Sequence, residues 1–375
     1  MIRAICLAVS LLAPSLASAM PRFAVQTGAP CSLCHVNPTG GGSRSAYGRG
    51  VFARQILQAN LGAPRTGFPL IDPVIGDFVA LGADVRAAYL HTIPRADVPE
   101  ERARAAGLAE QSHTLFLMQA DLYLHVDLAP YLEIYVDQGT YGSQEVYVRP
   151  RIGPLSLKAG KFMPAYGWRL VDHTTLVREP IGFGPRAKDT GLALVFDHPN
   201  LSAEVGMFNG AGPDMLLDTD RKRAWSGRLE GRLQLWKLRA NLGVSGYWNE
   251  SGEGDAALDS LRYGAFCGLG FGRLAYLAEL DVVDDVEAGE QTLGYAAYHE
   301  LSLIAVRGLQ VAGTYEFRDP DTDLRADAFH RVGGSVQFFP WPNTELEVIA
   351  RNTMANSNNP ISRLLEVMVI LHGYL

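Results

Sequence analysis

The chain has few charged residues (19%) and few cysteines (four in 375 residues). Beyond its N-terminus it has no apolar run near the roughly 18 residues that a spanning helix requires. Runs such as Val367–Leu371 are among the longest, so helical membrane proteins are excluded. It also has no basic excess. Lys+Arg number 33 against 40 Asp+Glu, a net charge of -7, so no nucleic-acid partner is expected, because a phosphate-reading surface needs surplus cations. No catalytic triad, nucleotide loop or hydrolytic carboxylate pair stands out, so neither hydrolase nor transferase chemistry is expected. What is present is 47% apolar residues, enough for a sizeable core, with a mean hydropathy near zero. That balance leaves membrane β-barrels open, since each tilted strand needs only about 10 alternating residues.

Residues 1–19 read as a secretory signal. Arg3 supplies the positive end, Ala4–Pro14 the apolar stretch and Ala17-Ser18-Ala19 the cleavage site, so the mature chain would start at Met20. Export to an oxidising compartment leaves Cys31, Cys34 and Cys267. Cys31-Ser32-Leu33-Cys34-His35 is a C-x-x-C-H motif, in which two thiols form thioethers to haem vinyls and the next imidazole ligates the iron. A disulfide or a redox dithiol would leave the histidine unexplained. A zinc site would need further ligands, and no other Cys or His lies between Met20 and Leu90. One covalently attached haem c is therefore expected, on a mostly helix and loop segment spanning 20–75. Gly28 and Gly40–Gly42 offer backbone able to approach a flat macrocycle. Arg44, Arg49 and Tyr47 are the candidates for propionate contacts. So short a segment encloses a haem only with help from the rest of the chain.

From Asp77 onward the hydrophobic period is two, and residues 76–375 read as a barrel. Phe116, Met118, Ala120, Leu122 and Leu124 form an apolar face opposite Gln119, Asp121, Tyr123, His125 and Asp127. The same split recurs through Trp225–Leu235, Leu274–Val282 and Glu345–Arg351. Charges of both signs on the inner face predict a wet lumen rather than a sandwich core. Seven short connections alternate with eight longer ones, at about 92–111, 138–144, 164–188, 209–222, 250–260, 284–290, 318–327 and 352–361, which predicts sixteen antiparallel strands. Trp225, Trp236, Trp248 and Trp341 sit near strand ends, as an aromatic girdle would. Residues 365–375 resemble the C-terminal assembly signal of outer-membrane barrels, with Leu375 in place of the usual terminal Phe.

Residues 164–188 form the longest connection and carry Arg169, Asp172, His173, Arg178, Glu179, Arg186 and Lys188. In many porins the corresponding loop folds inward, and by that resemblance these residues would line a constriction. For the sixth iron position the haem segment offers only Met20, through its sulfur or a new α-amino group. Strand parity adds His125 and His372 near the periplasmic rim, and an open position is the remaining option. The segment 20–75 carries five arginines against Asp72, or +4. That leaves 27 basic and 39 acidic residues in the barrel, a balance of -12 that favours docking of the two.

A C-x-x-C-H motif after a signal, then a Gly-rich link and a sixteen-strand barrel, resembles the fused outer-membrane cytochrome-porins, including iron-oxidising ones. The residues carrying the resemblance are Phe23, Ala24, Thr27-Gly28, Cys31, Cys34, His35, Pro38 and the glycines after it, with the porin-like stretch Gly160–Arg169. It implies location in a Gram-negative outer membrane and electron transfer between an extracellular donor or acceptor and a periplasmic electron-carrier protein. Fe(II) or a mineral is among the implied external partners. The alternative is a diffusion porin whose haem-bearing plug carries no net electron flux.

Overall fold

The computed structural model describes residues 20–59, 73–95, 111–140, 144–170, 172, 174–184, 186–210, 218, 220–252, 257–324, 327–355 and 363–375. The expected signal (1–19), His173 and most of the 92–111 connection lie outside the described residues.

The alternating pattern produces long antiparallel strands joined in sequence order. After the two-residue β1 (Val74–Ile75) come β2 (Val79–Arg95), β3 (Ser112–Ala129), β4 (Leu132–Gly139), β5 (Gln144–Ile152), β6 (Leu155–Phe162), β7 (Asp189–His198) and β8 (Leu201–Phe208). The wall continues through β9 (Ala224–Leu235), β10 (Leu238–Ser251), β11 (Leu258–Phe271), β12 (Leu274–Glu287) and β13 (Glu290–Val306). It ends with β14 (Leu309–Asp319), β15 (Phe329–Phe338), β16 (Thr344–Ala355) and β17 (Arg363–Tyr374). Each of β2 to β17 pairs with the next, and β17 pairs with β2 from Tyr374↔Asp84 to Arg363↔Arg95, closing a sixteen-stranded barrel. Closure removes the free edges that an open sheet would expose to lipid.

Period-two alternation turns Leu122, Leu194, Leu229, Leu242, Leu280 and Leu301 outward, while Glu133, Glu204, Glu230, Glu279 and Glu300 are buried within. Trp236 and Trp341 ring the short-turn end, and Trp225 and Trp248 face each other across β9 and β10 at the other. An apolar outer belt between aromatic girdles places this barrel in the outer membrane of a Gram-negative bacterium. No described helix is long and apolar enough to cross a membrane; the strands cross it.

Two expectations change. The register of β2 and β3 shifts between Arg86↔Gln119 and Ala87↔Leu117, so Met118 is bulged. One extra residue reverses the facing of everything beyond it. Leu115 and Leu117 therefore point outward, while Phe116 and Met118 pack inside against Ala88, Met368 and Ile370. The long connection expected at 284–290 is instead the two-residue turn Ala288-Gly289, both at positive φ (51° and 87°), and Asp284 and Asp285 belong to β12. Two such residues match the twist of the flanking strands, which lets the hairpin run to its limit.

Candidate functional site

The segment bearing the cysteines lies within the lumen at its short-turn end. Helix α1 (Pro21–Thr27) starts with proline in its first turn and stops at Gly28, whose φ of 75° ends the helix. Cys31–Leu33 form a single tight turn, with His35 N–H donating to the Cys31 carbonyl at 3.0 Å. The C-x-x-C-H spacing thus gathers both thiols and the imidazole on one turn. His35 then bridges Arg44 in antiparallel fashion, and a wide π-type helix, Tyr47–Leu57, runs back past the motif. A Cβ at Gly48 would collide with the Cys34 carbonyl.

Anchors to the wall surround this segment. Arg22 reaches Glu300 (3.1 Å) and Gln337 (3.0 Å), Gln26 donates to the Arg273 carbonyl, and Lys158 donates to Asn37 Oδ1 at 3.2 Å. Ser43 N–H donates to the Tyr135 hydroxyl at 3.1 Å, Arg44 pairs with Asp84 at 3.0 Å, and Ala59 N–H donates to the Phe339 carbonyl at 2.7 Å. Of the glycines expected to face a macrocycle, Gly41 and Gly42 line the large cavity of the lumen, and Gly28, Gly41 and Gly42 each also approach protein closely. A side chain at Gly28 would meet Gln234 and Arg239, one at Gly41 would meet Arg169, and one at Gly42 would strike Tyr135. A plug inside a closed barrel has wall on every side, so its tightest backbone turns press on the wall.

The connection after β6 folds inward as a second insert. Trp168 is buried, its backbone N–H donating to Glu279 at 3.0 Å and its indole to the Ala278 carbonyl at 3.2 Å. Arg178 also pairs with Glu279, and the Tyr166 hydroxyl donates to Asp281 at 2.9 Å while its ring stacks on Phe183 at 4.1 Å. On the other sides Arg169 pairs with Glu145 (2.8 Å), Arg351 with Asp172 (2.8 Å), and Arg331 donates to the Thr174 carbonyl (2.8 Å). The inner-face charges expected to sit in water are neutralised partly against these two inserts and partly by one another along the wall, as Arg149 with Glu133, Lys158 with Glu204 and Arg331 with Glu316, as buried charge requires.

Between plug and loop lies a cavity of about 810 Å³, bordered by Cys34, His35, Met20, Phe23 and Phe52 on one side and by Met163–Leu170 on the other. A second, of about 460 Å³, opens at the short-turn end and also reaches His35. The His35 imidazole donates to the Gly42 backbone, whereas its Nδ1 is buried with no hydrogen-bond partner among the described residues. Burial, aided by nearby Arg44, lowers its pKa to about 4, so the ring is neutral. Burial likewise raises the Cys31 and Cys34 thiols to about 12.

Of the other expected residues, Arg44 lines the larger cavity, committed to Asp84. Arg49 lines the smaller one and donates to the Arg44 carbonyl at 3.2 Å. Tyr47 lines neither and packs against the Phe23–Cys34–Phe52–Phe339 cluster, as Met20 does. Met20 and His372 share the larger cavity with His35. His372 already faces Glu345 (2.8 Å) and Asp84 (2.9 Å) with its two nitrogens. His125 lies in the smaller cavity beside Asp127 and Glu133, at 3.8 and 3.6 Å. Sequence reasoning missed Asp84, Glu345, Glu279 and Lys158. Their inward parity was a signal, but their partners lie in distant segments.

No protein-family model matches the chain, and no curated protein matches it in sequence. Among solved structures it is similar to the anion-selective porin from Comamonas acidovorans, at 11% identity, with 79% of this chain and 99% of that one covered and a TM-score of 0.62. It is also similar to OmpT of Vibrio cholerae, at 8% identity, 80% and 99% coverage and a TM-score of 0.58. OprB of Pseudomonas putida matches at 9% identity, 80% and 94% coverage and a TM-score of 0.56. The chain therefore has the sixteen-stranded barrel fold of outer-membrane porins, with a docked N-terminal segment and an inward loop in its lumen.

Proposed function

We propose that this barrel carries one haem c on its plug, joined through Cys31 and Cys34 with His35 as axial ligand, and passes electrons between an extracellular donor or acceptor and a periplasmic carrier. The supporting observation is the roughly 810 Å³ cavity beside Cys34 and His35, within the size range of cofactor sites and inside the wall rather than below it. Cys34 and His35 border this cavity, while Cys31, buried on the same turn, borders neither cavity. One side of His35 is held by the Gly42 backbone while buried Nδ1 has no partner among the described residues, the division of labour usual in a metal-bound imidazole. Phe23, Phe52 and Phe339 supply an apolar collar next to Cys34, and Arg86 lines the cavity as a cation for a propionate, with Arg44 beside it paired to Asp84. A bound haem would supply a one-electron iron couple, tuned by its ligands and by the low dielectric around it. The two inserts would exclude solutes and hold the site between the two membrane faces.

A second reading rests on the fold. One of the similar barrels is described as an anion-selective porin, so this chain would be a diffusion porin whose plug bears a haem without net electron flux. A pyridine haemochrome spectrum of the exported protein tests the shared premise: absence of a c-type signal sinks both readings and leaves a structural barrel. Proteoliposomes with an internal electron acceptor separate the two. Reduction by an external donor, without swelling in salt or sugar, is the expected result; swelling without reduction overturns the electron-transfer reading.

A further inference from the structure

We propose that Gln119 Oε1, Asp121 Oδ1 and Asp137 Oδ1 form a binding site for one divalent cation with oxygen ligands, on the outer side of the large cavity. All three residues line that cavity. They sit on adjacent strands in a fixed register, Asp121 opposite Gly139 and Tyr123 opposite Asp137, so the two aspartates are diagonal neighbours on the inner face. Such neighbours have Cβ atoms within about 7–8 Å, near enough to share an ion.

Asp121 and Asp137 are only 4% and 3% exposed. One oxygen of each is already engaged: Asp121 Oδ2 accepts from Gln119 Nε2 at 2.5 Å, and Asp137 Oδ2 lies 3.9 Å from Lys188 Nζ. Asp121 Oδ1, Asp137 Oδ1 and Gln119 Oε1 are buried and have no hydrogen-bond partner among the described residues. All three are acceptors, and buried acceptors without donors are costly. An anion would be repelled by two carboxylates, whereas one cation satisfies all three oxygens at once. Among the protein cations that line the same cavity, Arg44 and Arg169 are paired with Asp84 and Glu145, Lys188 lies beside Asp137 Oδ2, and Arg86 stands opposite Gln119 on β2, so a bound ion must use the oxygens that these groups leave over. An all-oxygen set with two carboxylates selects a hard ion such as Ca²⁺, Mg²⁺ or Mn²⁺ over softer metals. Bound water would complete the coordination sphere. None of the three oxygens belongs to the N-terminal segment, so the site stands whether or not a haem is attached.

The test is a titration of the detergent-solubilised, full-length exported protein with Mn²⁺ alone, followed by the loss of the free-ion signal in electron paramagnetic resonance. The expected result is about one Mn²⁺ per chain with Kd near or below about 10⁻⁴–10⁻³ M, displaced by Ca²⁺. Affinity should weaken about tenfold or more in Asp121→Asn and in Gln119→Leu. Asp321→Asn, in an outer loop, should leave it unchanged. Gln119→Leu alters no charge, so it carries the comparison if Asp121→Asn fails to fold. Equal Mn²⁺ binding by wild type and both site variants would assign the ion to the acidic outer loops and overturn the proposal, as would no uptake at all.

Discussion

Replacing Arg44 by leucine tests whether ion pairing holds the N-terminal segment inside the barrel. Arg44 Nη2 lies 3.0 Å from Asp84 Oδ1, with side chains 16% and 8% exposed, and its guanidinium sits 4.3 Å from the Tyr374 ring centre. Removing one partner of a buried pair typically destabilises by about 3–5 kcal/mol, because the other charge is left uncompensated. Here Asp84 keeps two hydrogen bonds, from His372 and from the Tyr123 hydroxyl, each at 2.9 Å. The expected loss is therefore smaller, about 2–3 kcal/mol. If that loss falls on docking alone, the undocked population rises about 30- to 140-fold, at 1.4 kcal/mol per tenfold. Hydrogen–deuterium exchange in detergent reads this directly: amides of residues 20–59 should lose protection by that factor while β5 to β8 keep theirs. The double variant R44L/D84L should recover part of the loss, since both buried charges are then gone. Exchange of the segment within about threefold of wild type would refute the reasoning. So would equal loss throughout the wall strands, which would make Arg44 a support of the barrel rather than an anchor of the plug.

Three further outcomes are expected. In haem-free protein made without export, burial holds the Cys31 thiol near pKa 12 against an ordinary 9.0. Its thiolate fraction at pH 8 is then about a thousandfold below that of the unfolded chain, and iodoacetamide should label it only in denaturant. In exported protein, labelling of Cys31 in denaturant would contradict a thioether. Trp168→Ala removes a buried indole that packs edge-on against Phe266 at 4.8 Å and ties the inward loop to β12. A loss of about 3–5 kcal/mol should loosen the loop and raise single-channel conductance in planar bilayers, and an unchanged conductance would count against the loop as a barrier. Lys158→Met leaves Glu204, now 3.1 Å from the ammonium, buried without its cation. The urea midpoint should fall by the equivalent of about 3–5 kcal/mol, with partial recovery in K158M/E204Q; a loss below about 1 kcal/mol would show that water reaches this pair.

Much of the barrel was legible because its signals are local. Alternation along Trp225–Leu235 or Leu274–Val282 sets which face meets lipid, and turn residues such as Trp236-Lys237 and Gly272 mark where the chain reverses. The facing of Phe116 and Met118 was not legible, since a single bulged residue reverses parity without changing the pattern around it. Nor was the reach of the inner charges: Glu279 alternates like any lumen residue, yet it meets Trp168 and Arg178, about a hundred positions away.

By itself, then, the sequence determined the strand count, the lipid-facing belt and the gathering of Cys31, Cys34 and His35 on one turn, because each depends on spacing within a few residues. Only the tertiary structure decided that the turn docks inside the lumen, that the loop after β6 closes over it, and that a cavity remains between them. Those outcomes depend on which buried charges find one another across the closed barrel: Arg22 with Glu300, Arg44 with Asp84, Arg169 with Glu145. The partners lie 278, 40 and 24 positions apart, and no local pattern pairs them.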